Sequence, residues 1–309
     1  MITTIFKKST PINFALVGIL IFLFFFISQF SDFSSDFSLY QIMSKILVLL
    51  ILTATIVVTN LITKKNALTK DSTYTVLFFF LFLIFFSKLF NNPNFIIANF
   101  LVILAIRRLI SMQTLKFSKE KIFDASLLIF YASLFYFWSI LFIILVFFSI
   151  ALHVSRDYRN WILPFIAFFA VIISFLFFSF VINSKFIDSF LTKIKINLEI
   201  NYFTNIYENI SFSLFVTIAI FFMTTLFMTL SKKPLIQNAS FKKLIVWFFI
   251  GVIIYIIAPN KSNNVFIFTL APLAIIATSF VESTLIKWQQ ELTLAVVIVC
   301  SFFCFFSQL

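Results

Sequence analysis

Two glycines, one histidine and two cysteines among 309 residues limit what this chain can do chemically. With only Gly18 and Gly251, no phosphate-cradling loop of the G-x-x-x-x-G-K or G-x-G-x-x-G kind can be written. Helix pairing through G-x-x-x-G is excluded as well. A single imidazole, His153, rules out histidine-rich metal sites and disfavours a Ser-His-Asp relay. Nucleotide hydrolysis and zinc chemistry are disfavoured on the same ground, and neither a cofactor nor a metal is expected. Cys300 and Cys304 lie four apart in the last apolar run and read as small hydrophobes, since a bridge between neighbouring turns of one helix would constrain little. Charge is scarce too. Only 11% of residues are Asp, Glu, Lys or Arg, against about 25% in soluble domains.

What fills the chain instead is apolar, at 62% of residues and a mean hydropathy of +1.12. This composition belongs to an integral membrane protein. Apolar runs extend from end to end and no connection exceeds about 30 residues, so one membrane domain over 1–309 is expected, with no room for a soluble one. The first run follows Lys7 and Lys8 as a signal sequence would, but no small-residue cleavage site follows it, and it reads as a retained helix. The 51 phenylalanines fit AT-rich coding and tolerance of Phe against lipid better than an aromatic ligand box. The net charge of +12 comes from lysines in short loops beside apolar runs. There they set orientation and meet anionic head groups; membrane lipids are the expected partners and nucleic acid is not.

Nine runs are clear: 12–30, 40–63, 73–90, 94–112, 161–182, 210–231, 241–258, 264–281 and 291–309. They read as helices, because a backbone in lipid must satisfy its own hydrogen bonds, and the fold class is an all-α polytopic bundle. The remaining run, Ile122–His153, is too long for one crossing of about 20 residues and slightly short for two. As one helix it leaves 14 of the 23 Lys and Arg on the inner side and 9 outside. Split near Trp138 into 122–136 and 138–152, it gives eleven segments with 17 inside and 6 outside, which fits the inner bias of positive loops. Each half would be only about 23 Å long. The split also carries Tyr136 and Trp138 from mid-bilayer to the outer interface, so that Ser139 should be reachable from outside and Asn160 should not; the reverse, or a buried Ser139, would speak for one unsplit helix. With the split the N-terminus is cytoplasmic, in a bacterial inner membrane.

This threading puts Asp32 and Asp36 outside, in the loop Ser31–Leu39, together with the stretch from Asn183 to Asn209. Each Asp is either a carboxylate base or metal ligand at the surface, or a solvated loop acid. Lys185, Lys193 and Lys195 make the long loop the most polar outer surface, suited to a lipid phosphate. Lys193–Tyr202 alternates as a strand would, yet Ile187, Phe190, Leu191, Ile194 and Leu198 also share one helical face, and an amphipathic segment on the outer surface is expected. Arg107 and Arg108 end the fourth segment inside, either as a fork for phosphate or as an anchor. Lys232, Lys233, Lys242 and Lys243 fall in one inner loop. Almost no ionisable residue sits at mid-depth, which disfavours an ion-coupled pump.

Two resemblances attach to these residues. The opening Met-Ile-Thr-Thr-Ile-Phe-Lys-Lys-Ser-Thr-Pro-Ile-Asn (1–13), Arg107-Arg108-Leu109, Lys121-Ile122-Phe123-Asp124-Ala125 and Ala271-Pro272-Leu273-Ala274 look like a flavobacterial family of polytopic inner-membrane proteins of unknown function. An acidic first outer loop, a helix ending in Arg-Arg and a short broken helix pair are similar to the layout of polyprenyl-phosphate-sugar-dependent (GT-C type) glycosyltransferases. In that family a carboxylate of the first outer loop is catalytic, which the resemblance would place on Asp32 or Asp36; here that loop is only about nine residues long. The favoured expectation is handling of a polyprenyl-phosphate-linked sugar or envelope glycan at the outer face. A non-catalytic membrane subunit with partner proteins in an envelope assembly or secretion complex stands second, and a flippase or small-molecule transporter third.

Overall fold

The computed structural model describes residues 2–30, 39–182, 187, 190, 194, 196–198, 205–259 and 261–309. Among these residues all regular structure is helical. The elements are α1 (Ile2–Phe6), α2 (Pro11–Phe30), α3 (Leu39–Lys65), α4 (Tyr74–Ile84), α5 (Pro93–Ile110), α6 (Ser118–Phe135), α7 (Ile143–His153), α8 (Arg159–Ile182), α9 (Ile206–Leu230), α10 (Leu235–Ile257), α11 (Ile267–Ser283) and α12 (Lys287–Ser307). Short 3-10 segments at Ser87–Asn91, Ser111–Thr114, Phe137–Phe142 and Asn263–Phe266 join or lead into them. Eight helices are long and apolar enough to cross a membrane. With α4, α6 and α7 they supply the eleven expected segments.

The sequence of α4, Tyr-Thr-Val-Leu-Phe-Phe-Phe-Leu-Phe-Leu-Ile, has no polar face, and all eleven residues are buried. The helix lies in the middle of the bundle against α11, with α2, α3 and α12 around it. At the rim, α8 turns Phe169, Ile173, Phe177 and Phe180 outward. Lipid gives helices no hydrophobic reason to associate, so contact quality holds the bundle together. Much of that contact is aromatic: Phe82 meets Phe215 edge-on at 6.0 Å, Phe78 meets Phe222 at 5.9 Å, and Phe24 meets Phe305 at 4.7 Å. Each such pair is worth roughly 0.5–1.5 kcal/mol beyond its area. Phenylalanine therefore serves both the lipid surface and the core. Gly251 of α10 permits one close approach, since a Cβ there would lie 2.6 Å from Cγ2 of Thr269 on α11.

The run 122–153 doubles back. Tyr136 leaves helical geometry (φ −137°, ψ 107°) and ends α6. Its ring packs 4.6 Å from Phe95, in the first turn of α5, and α7 then returns. The closing contact is the ion pair between Lys119, at the start of α6, and Asp157, just past α7, at 3.1 Å. A straight helix would separate those two residues by more than 50 Å at 1.5 Å per residue. The turn is not on the surface, however. Ser139 is fully buried and its Oγ donates to the Tyr136 carbonyl at 2.8 Å, while Asn160 is buried as well. The expected outer access at Ser139 is therefore wrong: the 3-10 segment Phe137–Phe142 packs inward against α10 and α5.

With that reversal the loops sort to two ends. At the lysine-rich end Tyr74 Oη donates to the Thr3 carbonyl (2.5 Å), Lys64 pairs with Asp71 (2.8 Å), Gln237 Nε2 donates to the Ala67 carbonyl (2.7 Å), and Arg108 pairs with Asp124 (3.2 Å). Lys64 holds the exposed Asp71 carboxyl below its ordinary range through a hydrogen bond and its charge, and Lys119 does the same for Asp157. Lys233 donates to Ser279 Oγ at 2.7 Å, and burial pushes its ammonium down while Glu282 opposes that shift. At the opposite end Gln29 Nε2 donates to Asn91 Oδ1 (2.7 Å), Gln308 Nε2 donates to the Phe85 carbonyl (2.9 Å), and Lys88 pairs with Glu208. Most of the 183–209 stretch, including Lys193, Lys195 and 199–202 of the alternating segment, lies outside the described residues; within it, Asn197 N donates to the Ile257 carbonyl at 3.3 Å.

In a chain with Cys300 and Cys304 replaced by Ala, single cysteines at Tyr158 and Tyr207 will label with an impermeant maleimide from opposite sides of the membrane. Labelling of both from one side would contradict the sorting. Gly251→Ala will separate α10 from α11 and cost about 1–3 kcal/mol, read as a lower thermal midpoint in detergent; an unchanged midpoint would contradict the close approach.

Candidate functional site

The end opposite the lysines carries three adjoining cavities. The first, about 400 Å³, lies between the end of α2 and the start of α3. Phe22, Phe25, Phe26 and Gln29 line one wall, and Ile42, Lys45, Ile46 and Leu49 the other. Both sets follow the i, i+3, i+4, i+7 spacing of one helical face. Two apolar stripes thus flank a groove, with Gln29 and Lys45 at its polar end.

Those two residues also line a second cavity of about 300 Å³ with Ser44, Phe90 and Asn91. Asn91 in turn lines a third, of about 450 Å³, with Ser87, Lys88, Asn92, Asn264 and Gln308. Apolar wall therefore gives way stepwise to carboxamide and hydroxyl.

Local chain chemistry builds the polar part. Phe86 leaves helical geometry (φ −127°, ψ 79°), ending the regular run after α4 and starting the 3-10 segment Ser87–Asn91. Pro93 then opens α5 at its first turn, where a missing N–H costs nothing. Asn92 Nδ2 bonds back to the Lys88 carbonyl at 3.0 Å, which pins the connection as a wall. Buried Gln29 is held by its bond to Asn91. Neutral amides and hydroxyls offer donors and acceptors together, which suits a hydroxyl-rich ligand, and Lys45 stands where apolar and polar cavities meet. Among the described residues no three His, Cys, Asp or Glu side chains cluster to hold a metal.

Of the residues singled out in the sequence, Asp32, Asp36, Lys185, Lys193 and Lys195 lie outside the described residues. The chain from Gln29 to Lys45 nevertheless contains both aspartates. Arg107 and Arg108 end α5 at the lysine-rich end, roughly 22 Å from Asn92 at 1.5 Å per residue, and cannot share one phosphate with Lys45. Arg108 is engaged with Asp124 at 3.2 Å.

Sequence reasoning missed the amide set. Gln29, Asn91, Asn92, Asn264 and Gln308 each stand at or next to an end of an apolar run, and each alone looks like a helix boundary. It also misplaced Lys243. Helix α10 begins at Leu235, not 241, so this lysine lies inside the bundle, 1% exposed, its Nζ donating to the Leu109 carbonyl at 2.6 Å. That carbonyl lies in the last turn of α5, where the Ser111 backbone N–H also reaches it.

A family model described as "Family of unknown function (DUF6427)" matches residues 1–309. The chain belongs to that family. No curated protein and no solved structure matches it. For this DUF6427 member, the cavities are the place to look for chemistry.

Their gradient can be read by spin labelling. A label at Asn92 will collide freely with a water-soluble nickel chelate, and one at Ile46 with oxygen but not nickel. Equal nickel access at the two positions would contradict a groove that opens to lipid below and to water above.

Proposed function

We propose that this protein binds a polyprenyl-phosphate-linked polar group, such as a sugar, at the outer face of a bacterial inner membrane. One observation carries the proposal: the apolar groove between α2 and α3 leads past Lys45 into the amide-lined cavities. An isoprenoid tail matches the groove, a phosphate matches the lysine, and sugar hydroxyls match the amides and serines. The outer assignment follows from charge, since the split threading leaves 17 of 23 Lys and Arg on the other end with the N-terminus, the side that positive loops prefer.

In the catalytic form of this reading, Asp32 or Asp36 takes the proton of an acceptor hydroxyl. The hydroxyl oxygen attacks the anomeric carbon, the bond from that carbon to the phosphate oxygen breaks, and the lipid phosphate departs as an anion against Lys45. A carrier-binding subunit that does no chemistry would use the same groove. Substitution separates the two.

The purified protein in nanodiscs will bind a polyprenyl phosphate more tightly than the corresponding polyprenyl alcohol. Lys45→Gln will weaken the phosphate about ten- to a hundredfold, the worth of one charge-assisted hydrogen bond, and leave the alcohol unchanged. Ile46→Trp will fill the groove and weaken both. Equal binding of phosphate and alcohol by the wild type would contradict carrier binding. Asp32→Asn and Asp36→Asn should each keep carrier binding and protein abundance, and one of them should abolish glycan assembly; full complementation of a deletion by both would remove the enzyme reading.

A further inference from the structure

The lysine-rich end holds a separate cavity of about 290 Å³ where three connections meet: α1 to α2, α3 to α4, and α11 to α12. Lys7 and Lys70 from the first two connections and Lys287, the first residue of α12, line it, with Ser72, Glu282 and Gln290 among the rest of the wall. We propose that this cavity binds the head group of an anionic glycerophospholipid of the cytoplasmic leaflet, with the tails remaining outside in the bilayer.

The wall is built rather than incidental. Glu282 Oε1 accepts from Ser72 Oγ at 2.5 Å and Oε2 from the Lys70 backbone N–H at 2.7 Å. Gln290 Nε2 donates to the Val281 carbonyl at 3.0 Å and the Thr284 carbonyl at 2.5 Å, folding the α11–α12 connection onto itself. The nearby Glu291 is taken by Thr3 Oγ1 at 2.5 Å. Both acids are thus occupied by hydroxyl and backbone donors. None of the four ion pairs among the described residues uses Lys7, Lys70 or Lys287. Lys70 Nζ reaches only a neutral acceptor, the Glu282 carbonyl, at 3.3 Å; three lysines around one wall carboxylate leave an excess positive charge, and the missing counter-charge is the ligand.

A second observation decides that it arrives with tails. The same α11–α12 connection exposes Leu285 (96%), Ile286 (47%) and Trp288 (62%) beside Lys287. Large apolar side chains so exposed next to lysines are costly in water. They are at home in the head-group region, where Trp is favoured and basic residues meet anionic lipid. The cavity mouth therefore lies at head-group depth. A basic pocket between helix ends at that depth selects a phosphate already embedded in the membrane over one free in solution. This inference does not depend on the carrier groove, which lies at the other end.

Trp288 reports on the site. In nanodiscs of phosphatidylcholine, brominated phosphatidylglycerol should quench the Trp288 share of the fluorescence (wild type minus Trp288→Phe) at lower mole fraction than brominated phosphatidylcholine does. Lys7→Gln, Lys70→Gln and Lys287→Gln should each weaken that preference about fivefold, the effect of about 1 kcal/mol per lysine. Lys116→Gln, exposed at the same end on the α5–α6 connection, should leave it unchanged. Lys7 and Lys287 are exposed, so their variants report even where Lys70→Gln disturbs folding. Equal quenching by the two lipids, indifference to all three substitutions, or displacement of phosphatidylglycerol by an equal concentration of inorganic phosphate would each overturn the proposal.

Discussion

One backbone reversal governs the arrangement of this protein. Tyr136 adopts extended geometry between α6, of 18 residues, and α7, of 11, and the chain turns inside the bundle instead of running on. Lys119 and Asp157 meet as a consequence. Every later connection then falls on the end it would otherwise have left. Without the turn, the lysines before α10 would sit beside the amide-lined cavities, and the two ends would lose their chemical distinction.

That distinction has a physical cost and a physical use. Neutral amides and serines gather at one end, where short 3-10 segments and Pro93 leave polar groups facing cavities. At the other end, hydrogen bonds tie the N-terminus to the start of α4, and the α3–α4 connection to Glu282 at the end of α11 and to Gln237 in the first turn of α10. Between them α4 and α11 form an apolar axis. In lipid such an axis gains nothing from hydrophobic association, so the edge-on phenylalanine contacts and the close approach at Gly251 carry the packing. The two ends accordingly present different chemistry: neutral amides and hydroxyls around cavities at one, lysines and their few acids at the other.

The helix number and the two ends could be read from hydropathy and positive charge, because both depend on the bilayer and not on which helix touches which. Even the break near Trp138 was legible in loop charge. What could not be read is which apolar face meets protein. Lipid and protein interior are equally apolar, so the burial of Ser139 and of Lys243 left no mark in the pattern. The groove escaped for the same reason: Phe22, Phe26, Ile42 and Ile46 look like any lipid-facing stripe until the two helices splay. Gln29 and Asn91, at the ends of separate runs, become one site only once their 2.7 Å bond is seen.

The reversal can be measured directly. In a chain lacking Cys300 and Cys304, cysteines introduced by Lys119→Cys and Asp157→Cys should be joined within one molecule by a short bismaleimide, giving a faster-migrating species. The result expected is efficient intramolecular joining of this pair in native membranes. Failure to join, with each single cysteine labelled from a different side of the membrane, would mean one unbroken helix and would contradict the fold at its turning point.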